Sequence, residues 1–409
     1  MSALGAQSKR PALTAVLIVT VILAATWAVA LNARETISHW VYVNVVQLPS
    51  YPRAGRTYYT LVGIHASTLF AQISTPRFKA WVVRYRLDRH RWMPGHTKLP
   101  LDSSATVSPA GTVWSLNYNG DGGLEDSALV TSFGKGYPWS TRVGGLSLLG
   151  SAVLDYRSGP VPYFNSKGTA WEVGWPSAAD PTSPSGDPVL ATAARGQHQF
   201  HLIAVPYRAS SAYDPAGSGM FAPLTIAPNG DVWLADGDSR VCRRTRCYRA
   251  WLIQYRPSTG RFRRYLVPRS MYRWPAVGQC HTALAPCGFA VTAVEANGTV
   301  WAWSSFDRRR LLVEFHHGSF RVFHSSSFRQ LDLSATTFVD HNGDLWFCED
   351  YRTPMLYDPG TPVLYNPKNN STTALSLSGG VMTQDARGDM VYVEHRGQSS
   401  WCAGYAANY

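Results

Sequence analysis

Two hydrophobic patterns divide the chain. Residues 12–31 carry no charge and run, directly after Lys9 and Arg10, for about the length needed to cross a hydrocarbon core as a helix. From about residue 38 onward the pattern changes to short stretches of alternating apolar and polar positions, such as Trp251-Leu-Ile-Gln-Tyr255 and Phe262-Arg-Arg-Tyr265-Leu266. These are separated by clusters of Gly, Pro, Ser, Asn and Asp. Period-two alternation bounded by turn residues predicts β-strands joined by hairpins.

One unit recurs along this second region. Ser-Pro-Ala-Gly-Thr-Val-Trp ends at Trp114, Asn-Ser-Lys-Gly-Thr-Ala-Trp at Trp171, Ala-Pro-Asn-Gly-Asp-Val-Trp at Trp233, Glu-Ala-Asn-Gly-Thr-Val-Trp at Trp301 and Asp-His-Asn-Gly-Asp-Leu-Trp at Trp346. A degenerate copy ends at Val391, and a weaker one, Ile64-His-Ala-Ser-Thr-Leu-Phe70, comes first. The repeat glycines, Gly111, Gly168, Gly230, Gly298, Gly343 and Gly388, are 45 to 68 residues apart, the interval of a four-stranded propeller blade with insertions. Asn-Gly and its substitutes are expected to supply the positive φ angles of a short turn. A second hairpin follows each unit, as around Pro257-Ser-Thr-Gly260 and His317-Gly318.

Seven first hairpins but only six complete second hairpins are countable, and the strand-like residues 40–46 lack a partner of their own. Pairing of that strand with the last blade would close a ring and remove exposed sheet edges. The expected fold is all-β: a seven-bladed β-propeller over residues 34–409, preceded by a cytoplasmic N-terminus (1–10) and one N-terminal transmembrane helix or signal peptide (11–33). Ala28-Val29-Ala30 offers a cleavage site, yet the apolar run exceeds the usual signal-peptide core of about 7 to 15 residues, which favours an uncleaved signal anchor. The expected location is the cell membrane, single-pass, with the propeller on the extracellular or periplasmic side. Two separate β-sandwiches are disfavoured, because they would not repeat a Gly-x-x-Trp unit.

Composition sharpens this picture in three places. With 45 % hydrophobic and 16 % charged residues, the 409-residue chain can bury a large core. The formal charge is +12, and all but six of the 38 basic residues are Arg, which suits bidentate contacts to carboxylate or phosphate. Six cysteines, an even number, fit disulfides in an oxidising compartment: of fifteen possible connectivities the simplest joins the close pairs Cys242/Cys247 and Cys280/Cys287, in loop-like sequence, and leaves Cys348 and Cys402 to pair across a longer distance. Their spacings match neither a zinc ribbon nor a redox pair.

Gly343-Asp-Leu-Trp-Phe-Cys-Glu349 resembles the blade repeat of the virginiamycin B lyase (streptogramin lyase) and NHL-like propellers, and Tyr255-Arg-Pro-Ser-Thr-Gly260 is similar to the hairpin that follows it. The resemblance covers about residues 38–409. It implies a seven-bladed propeller and, as an alternative function, a metal-dependent carbon–oxygen lyase acting on a cyclic depsipeptide with a His base, acidic neighbours and Mg²⁺. The family's Pro-His-Gly motif is absent. Catalytic candidates are Glu349, Glu394, His395 and His281, but Glu394 and His395 are adjacent and on one strand would point to opposite faces.

In a four-stranded meander the two hairpin turns share one rim, and the other connections share the opposite rim. The long insertions, 117–126, 175–188, 207–223, 236–249 and 268–289, all fall on the second rim, which marks it as the functional face. If strand 40–46 is the outermost of its blade, the chain enters from the hairpin rim and the membrane lies behind it. Asn117, Asp236, Glu349 and Glu394 occupy equivalent positions as a partial polar ring. Asn117, Asn119, Asp121 and Glu125 gather oxygen ligands around glycines, as Ca²⁺ would require. No cofactor is required by the sequence; Ca²⁺ or Mg²⁺ are the candidates.

Charge is most uneven from 240 to 273, with eleven Arg and no Asp or Glu. Arg243, Arg244, Arg246, Arg249, Arg256, Arg261, Arg263 and Arg264, interleaved with Trp251 and Tyr255, form a candidate binding patch. Export places a protein partner, an acidic glycan or an anionic surface polymer ahead of nucleic acid. No phosphate loop, Gly-x-Ser-x-Gly elbow or HExxH motif is present. The expected role is therefore that of a membrane-anchored binding or scaffold module of a cell-surface assembly, with the streptogramin-lyase-type enzyme as the alternative.

Overall fold

Every regular element in the computed structural model is a β-strand. The residues described are 43–47, 58–74, 80–99, 105–118, 124–134, 137–144, 162–174, 189–206, 224–242, 245–268, 289–304, 311–323, 331–332, 337–340, 342–349, 362–374, 380–384 and 390–394. The chain divides into two units, Met1–Asn44 and Val45–Tyr409. The apolar run 12–31 lies outside the described residues, among which no helix is long and apolar enough to cross a membrane.

The strands group into seven sheets among the described residues. After β1 (Val43–Gln47), the first sheet holds β2 (Tyr58–His65), β3 (Thr68–Ser74), β4 (Ala80–Arg86), β5 (Arg91–Trp92) and β6 (Thr97–Leu99), β6 also pairing with β4. The second has β7 (Ala105–Val107), β8 (Val113–Tyr118), β9 (Leu124–Gly134) and β10 (Tyr137–Gly144). The third has β11 (Tyr163–Phe164), β12 (Ala170–Gly174), β13 (Val189–Ala193) and β14 (His201–Ala204). The fourth is β15 (Thr225–Ile226), β16 (Val232–Cys242), β17 (Thr245–Arg256) and β18 (Arg261–Leu266). The fifth is β19 (Phe289–Val294), β20 (Val300–Ser304), β21 (Leu311–His316) and β22 (Ser319–Phe323). The sixth sets β23 (Leu331–Asp332) and β24 (Phe338–Val339) on one side of β25 (Leu345–Glu349), followed by β26 (Pro362–Asn366) and β27 (Ser371–Ala374). The seventh is β28 (Gly380–Gln384), β29 (Met390–Glu394) and then β1.

The repeat turn explains why these hairpins form. In each described Gly-containing copy the glycine N–H bonds to the carbonyl three residues back, and the first residue's N–H bonds to the carbonyl of the fifth, as in Gly298 to Glu295 (3.0 Å) and Glu295 to Thr299 (2.8 Å). Only the glycine is left-handed, for example Gly230 at φ +88°. This is a three-residue loop closing on a glycine bulge, not a two-residue turn with two positive φ angles, so Asn229 and Asn297 are not needed for φ. Asn297 Oδ1 instead accepts the Thr299 N–H at 2.8 Å.

The first residue of the unit has a further task where it is acidic. Glu295 Oε1 accepts the indole N–H of Trp301 at 2.6 Å, and Asp340 Oδ2 accepts that of Trp346 at 3.0 Å. The motif Trp then spans the gap to the next sheet: Trp114 meets Phe164 at 5.6 Å, Trp171 meets Tyr255 at 5.8 Å and Trp233 meets Phe315 at 5.8 Å. Edge-on aromatic pairs of this kind stabilise beyond their buried area.

Each buried cluster is accordingly shared by neighbouring sheets. Val82 and Val113 join the first to the second, Trp114 and Ala191 the second to the third, and Leu190 and Leu234 the third to the fourth. Leu252 and Val313 join the fourth to the fifth, and Trp301 and Phe347 the fifth to the sixth. Gln384 of β28 donates to the Val339 carbonyl at 2.8 Å, and Val391 of β29 packs with Ile64 and Leu69 of the first sheet. β2 lies against both β7 and β28.

The early strand covers 43–47 among the described residues and stands beside β29 at the edge of its three-stranded sheet.

Candidate binding surface

The fourth sheet departs most from the pattern of its neighbours. β16 and β17 pair from Val232 opposite Tyr255 to Cys242 opposite Thr245, whereas β15 reaches only Val232 and Trp233 and β18 only residues 251–256. The outer six pairs, Gly237/Ala250 through Cys242/Thr245, have no third strand among the described residues. They extend as a two-stranded ribbon about 20 Å long beyond the sheet. Residues 236–249, expected as a loop insertion, are thus mostly strand. Cys242 and Cys247, expected in loop-like sequence, stand on the two arms of this ribbon.

The register also divides the Arg-rich segment. Arg246 and Arg249 are on the ribbon, while Arg256 and Arg261 face each other across β17 and β18 at the opposite, turn-bearing end. Ten residues of strand put Arg246 and Arg256 about 34 Å apart, too far for one patch. Arg243 and Arg244 lie outside the described residues. The ribbon also brings an acid the sequence window missed, because Asp238 is directly opposite Arg249. Asp236, expected at a strand end, is mid-strand opposite Trp251.

At the turn end the charges are partly answered. Arg256 Nε lies 3.7 Å from Asp231 Oδ2, which accepts the Gln254 amide at 2.6 Å, while Tyr265 donates to Gln254 Oε1 at 3.0 Å. Arg261 and Arg263 are exposed. The Arg264 guanidinium lies 3.8 Å over the Trp251 ring, a cation–π contact on the opposite sheet face from Arg263. Leu266, paired with Trp251, is 44 % exposed. Tyr255 is buried against Phe262 and Trp171 and belongs to the core.

The other candidates are scattered. Asn117 is at the irregularity between β8 and β9, and Glu125 is on β9; Asn119 and Asp121 lie outside the described residues. β8 and β9 run to Tyr118 and Leu124, which shortens the expected 117–126 loop to five residues. Glu349 ends β25 opposite Leu331, and Glu394 ends β29 opposite Gly380. Cys348 is opposite Asp332. His281, His395, Cys280, Cys287 and Cys402 lie outside the described residues. Among the described residues no three His, Cys, Asp or Glu side chains gather as a metal site.

Glu172 and Arg84 are ionisable side chains buried outside the expected sites. Glu172 on β12 is 7 % exposed; its Oε1 accepts the Val173 N–H at 3.3 Å, and its Oε2 has no hydrogen-bond partner. Burial pushes this carboxyl up to about 8, against a smaller opposing pull from the Val173 N–H. Burial first, and the Glu172 charge second, raise the Tyr163 phenol. Arg84 on β4, 6 % exposed, donates to the Pro94 carbonyl at 2.8 Å and lies 4.3 Å over Phe133; burial lowers its pKa. A charged residue alternating inside an apolar strand is the only sequence signal for either.

No protein-family profile and no curated protein matches the chain. Solved structures similar to it include the β-propeller domain of the Trilobed protease from Pyrococcus furiosus (6 % identity over 80 % of this chain and 88 % of that one, TM-score 0.47). The acylaminoacyl peptidase of Pyrococcus horikoshii is 8 % identical over 83 % of this chain and 48 % of that one, also with TM-score 0.47. An ulvan lyase of a polysaccharide lyase family is 8 % identical over 78 % and 82 %, with TM-score 0.45. At these scores the likenesses carry no argument about activity.

Proposed function

We propose that the chain is a membrane-anchored, extracytoplasmic seven-bladed β-propeller that serves as a binding or scaffold module of a cell-surface assembly. The sequence of shared cores, running from the first sheet to the sixth and from the seventh back to the first, supports a closed ring of seven blades. The apolar run 12–31 supports the anchor. The likeness of residues 343–349 to streptogramin lyase blades is then one of architecture.

The observation that carries the binding role is the ribbon of β16 and β17. Among the described residues its arms pair only with each other from Gly237 and Ala250 outward, and the segment that joins and flanks them holds Arg240, Arg243, Arg244, Arg246 and Arg249. A basic arm held away from a rigid sheet suits an acidic partner surface.

Affinity capture of the full-length protein from gently solubilised membranes, beside an Arg243→Glu/Arg244→Glu/Arg246→Glu variant, tests this. A stoichiometric protein partner retained by the wild type, lost by the variant and weakened at higher salt is expected. A partner held equally by both would exclude the ribbon, and a protein that comes out alone would exclude the scaffold role.

A further inference from the structure

The turn-bearing ends of the sheets separate their charges. On the described first hairpin turns Glu295 holds Trp301 and Asn297, Asp340 holds Trp346 and two backbone N–H groups, and Asp231 holds Gln254. The second hairpin turns carry bases instead. They present Arg89 and Arg91 after β4, Arg195 after β13, Arg261 after β17, His317 after β21 and Lys368 after β26, all exposed. Asp88 is held by Arg86, whose Nε donates to it at 2.7 Å, and Glu314 lies 4.0 Å from Arg321. Arg89, Arg91, Arg195 and Arg261 make no ion pair with a described residue.

These turns share one side of the molecule. Within a sheet, Arg256 of the second turn reaches Asp231 of the first, and Lys368 Nζ donates to the Asn342 carbonyl at 3.2 Å. Between sheets, a Cβ on Gly111 would meet the His65 ring at 2.7 Å, and one on Gly343 would lie 3.8 Å from Glu295. The aromatic steps from Trp171 to Tyr255 and from Trp233 to Phe315 continue the same register.

We propose that this turn face docks on an anionic lipid bilayer. Its exposed arginines are dispersed, Arg89 and Arg91 on the first sheet, Arg195 on the third and Arg261 on the fourth, whereas Asp231 and Asp340 of the first turns are buried. Dispersed cations match a plane of negative charge better than a linear chain or a peptide, either of which needs its cations aligned. The inference rests on the anchor proposed above: the eleven residues between the apolar run and Val43 span at most about 40 Å, which keeps the domain within reach of the bilayer.

The test uses the full-length protein in lipid nanodiscs, either neutral phosphatidylcholine or with about a third phosphatidylglycerol, read by amide hydrogen exchange. Peptides over 86–92, 194–198 and 256–261 are expected to exchange about tenfold more slowly in the anionic discs. They should return to the neutral-disc rate at about 0.5 M salt. The same loss is expected in an Arg89→Glu/Arg91→Glu/Arg195→Glu/Arg261→Glu variant whose β12 and β13 protection is unchanged. Equal exchange in both discs, or protection of 237–250 instead, overturns the proposal. So does protection produced only by a soluble acidic polymer. Because ribbon reversal is read by partner capture and turn reversal by exchange, the two readings fail separately. Should the protein not insert, cosedimentation with vesicles of the same lipids reads the turn face directly.

Discussion

Glu172 makes stability depend on pH in an unusual direction. It alternates with Trp171 and Val173, which pack toward the fourth sheet, so with Ala170 it faces the second sheet, where Trp114 and Ala128 are buried. A carboxyl held at about 8 when folded and near 4.5 when unfolded binds its proton more tightly in the native state. Its contribution is complete below about 4.5 and is lost as pH rises toward about 8, at roughly 1.4 kcal/mol per pH unit for one proton. Across that window the loss is about 5 kcal/mol, comparable to the whole stability of many domains. Glu172→Gln removes the proton but leaves a buried amide, at a cost of about 1–3 kcal/mol that does not vary with pH. Denaturant unfolding of the full-length protein in detergent from pH 5 to 9 should show two curves that cross, with the variant weaker at pH 5 and stronger at pH 9. Parallel curves would refute a buried, protonated Glu172.

The repeat turn supplies further contrasts. Gly111→Ala combines a left-handed φ of +76° with a 2.7 Å approach to His65, whereas Gly230→Ala has open space and only the φ penalty of about 1–2 kcal/mol; melting curves should rank Gly111→Ala as clearly the more damaging. Asp340→Ala strips two backbone N–H groups and the Trp346 indole of their acceptor, so a loss of about 2–4 kcal/mol by denaturant midpoint is expected. Trp346→Phe should cost more than Trp171→Phe by about 1–2 kcal/mol, since Trp171 Nε1 has no partner to abandon; equal losses would remove the acid–indole bond from the account.

The positions that repeat were legible in the sequence, and the ones that break the repeat were not. Trp114, Trp171, Trp233, Trp301 and Trp346 announce their strands because each fills the same space against a neighbouring sheet, and repetition of a packing solution is repetition of residues. The kind of turn was misread at Asn229-Gly230, since Asn tolerates both the left-handed and the right-handed backbone and only the hydrogen bonds decide. The ribbon was hidden for a different reason. Gly237, Asp238 and Ser239 read as turn residues, and the run from Gly237 to Cys242 shows no apolar alternation that would announce a strand. The Arg cluster was legible as charge and illegible as a surface, because β17 and β18 carry it along a strand and across both faces. Linear density of charge becomes a patch only when strand length and register keep it together; here they send one half toward the ribbon and the other toward the turns, where Asp231 answers part of it. If the two halves have separate partners, the positive charge of the fourth sheet serves opposite ends of the molecule.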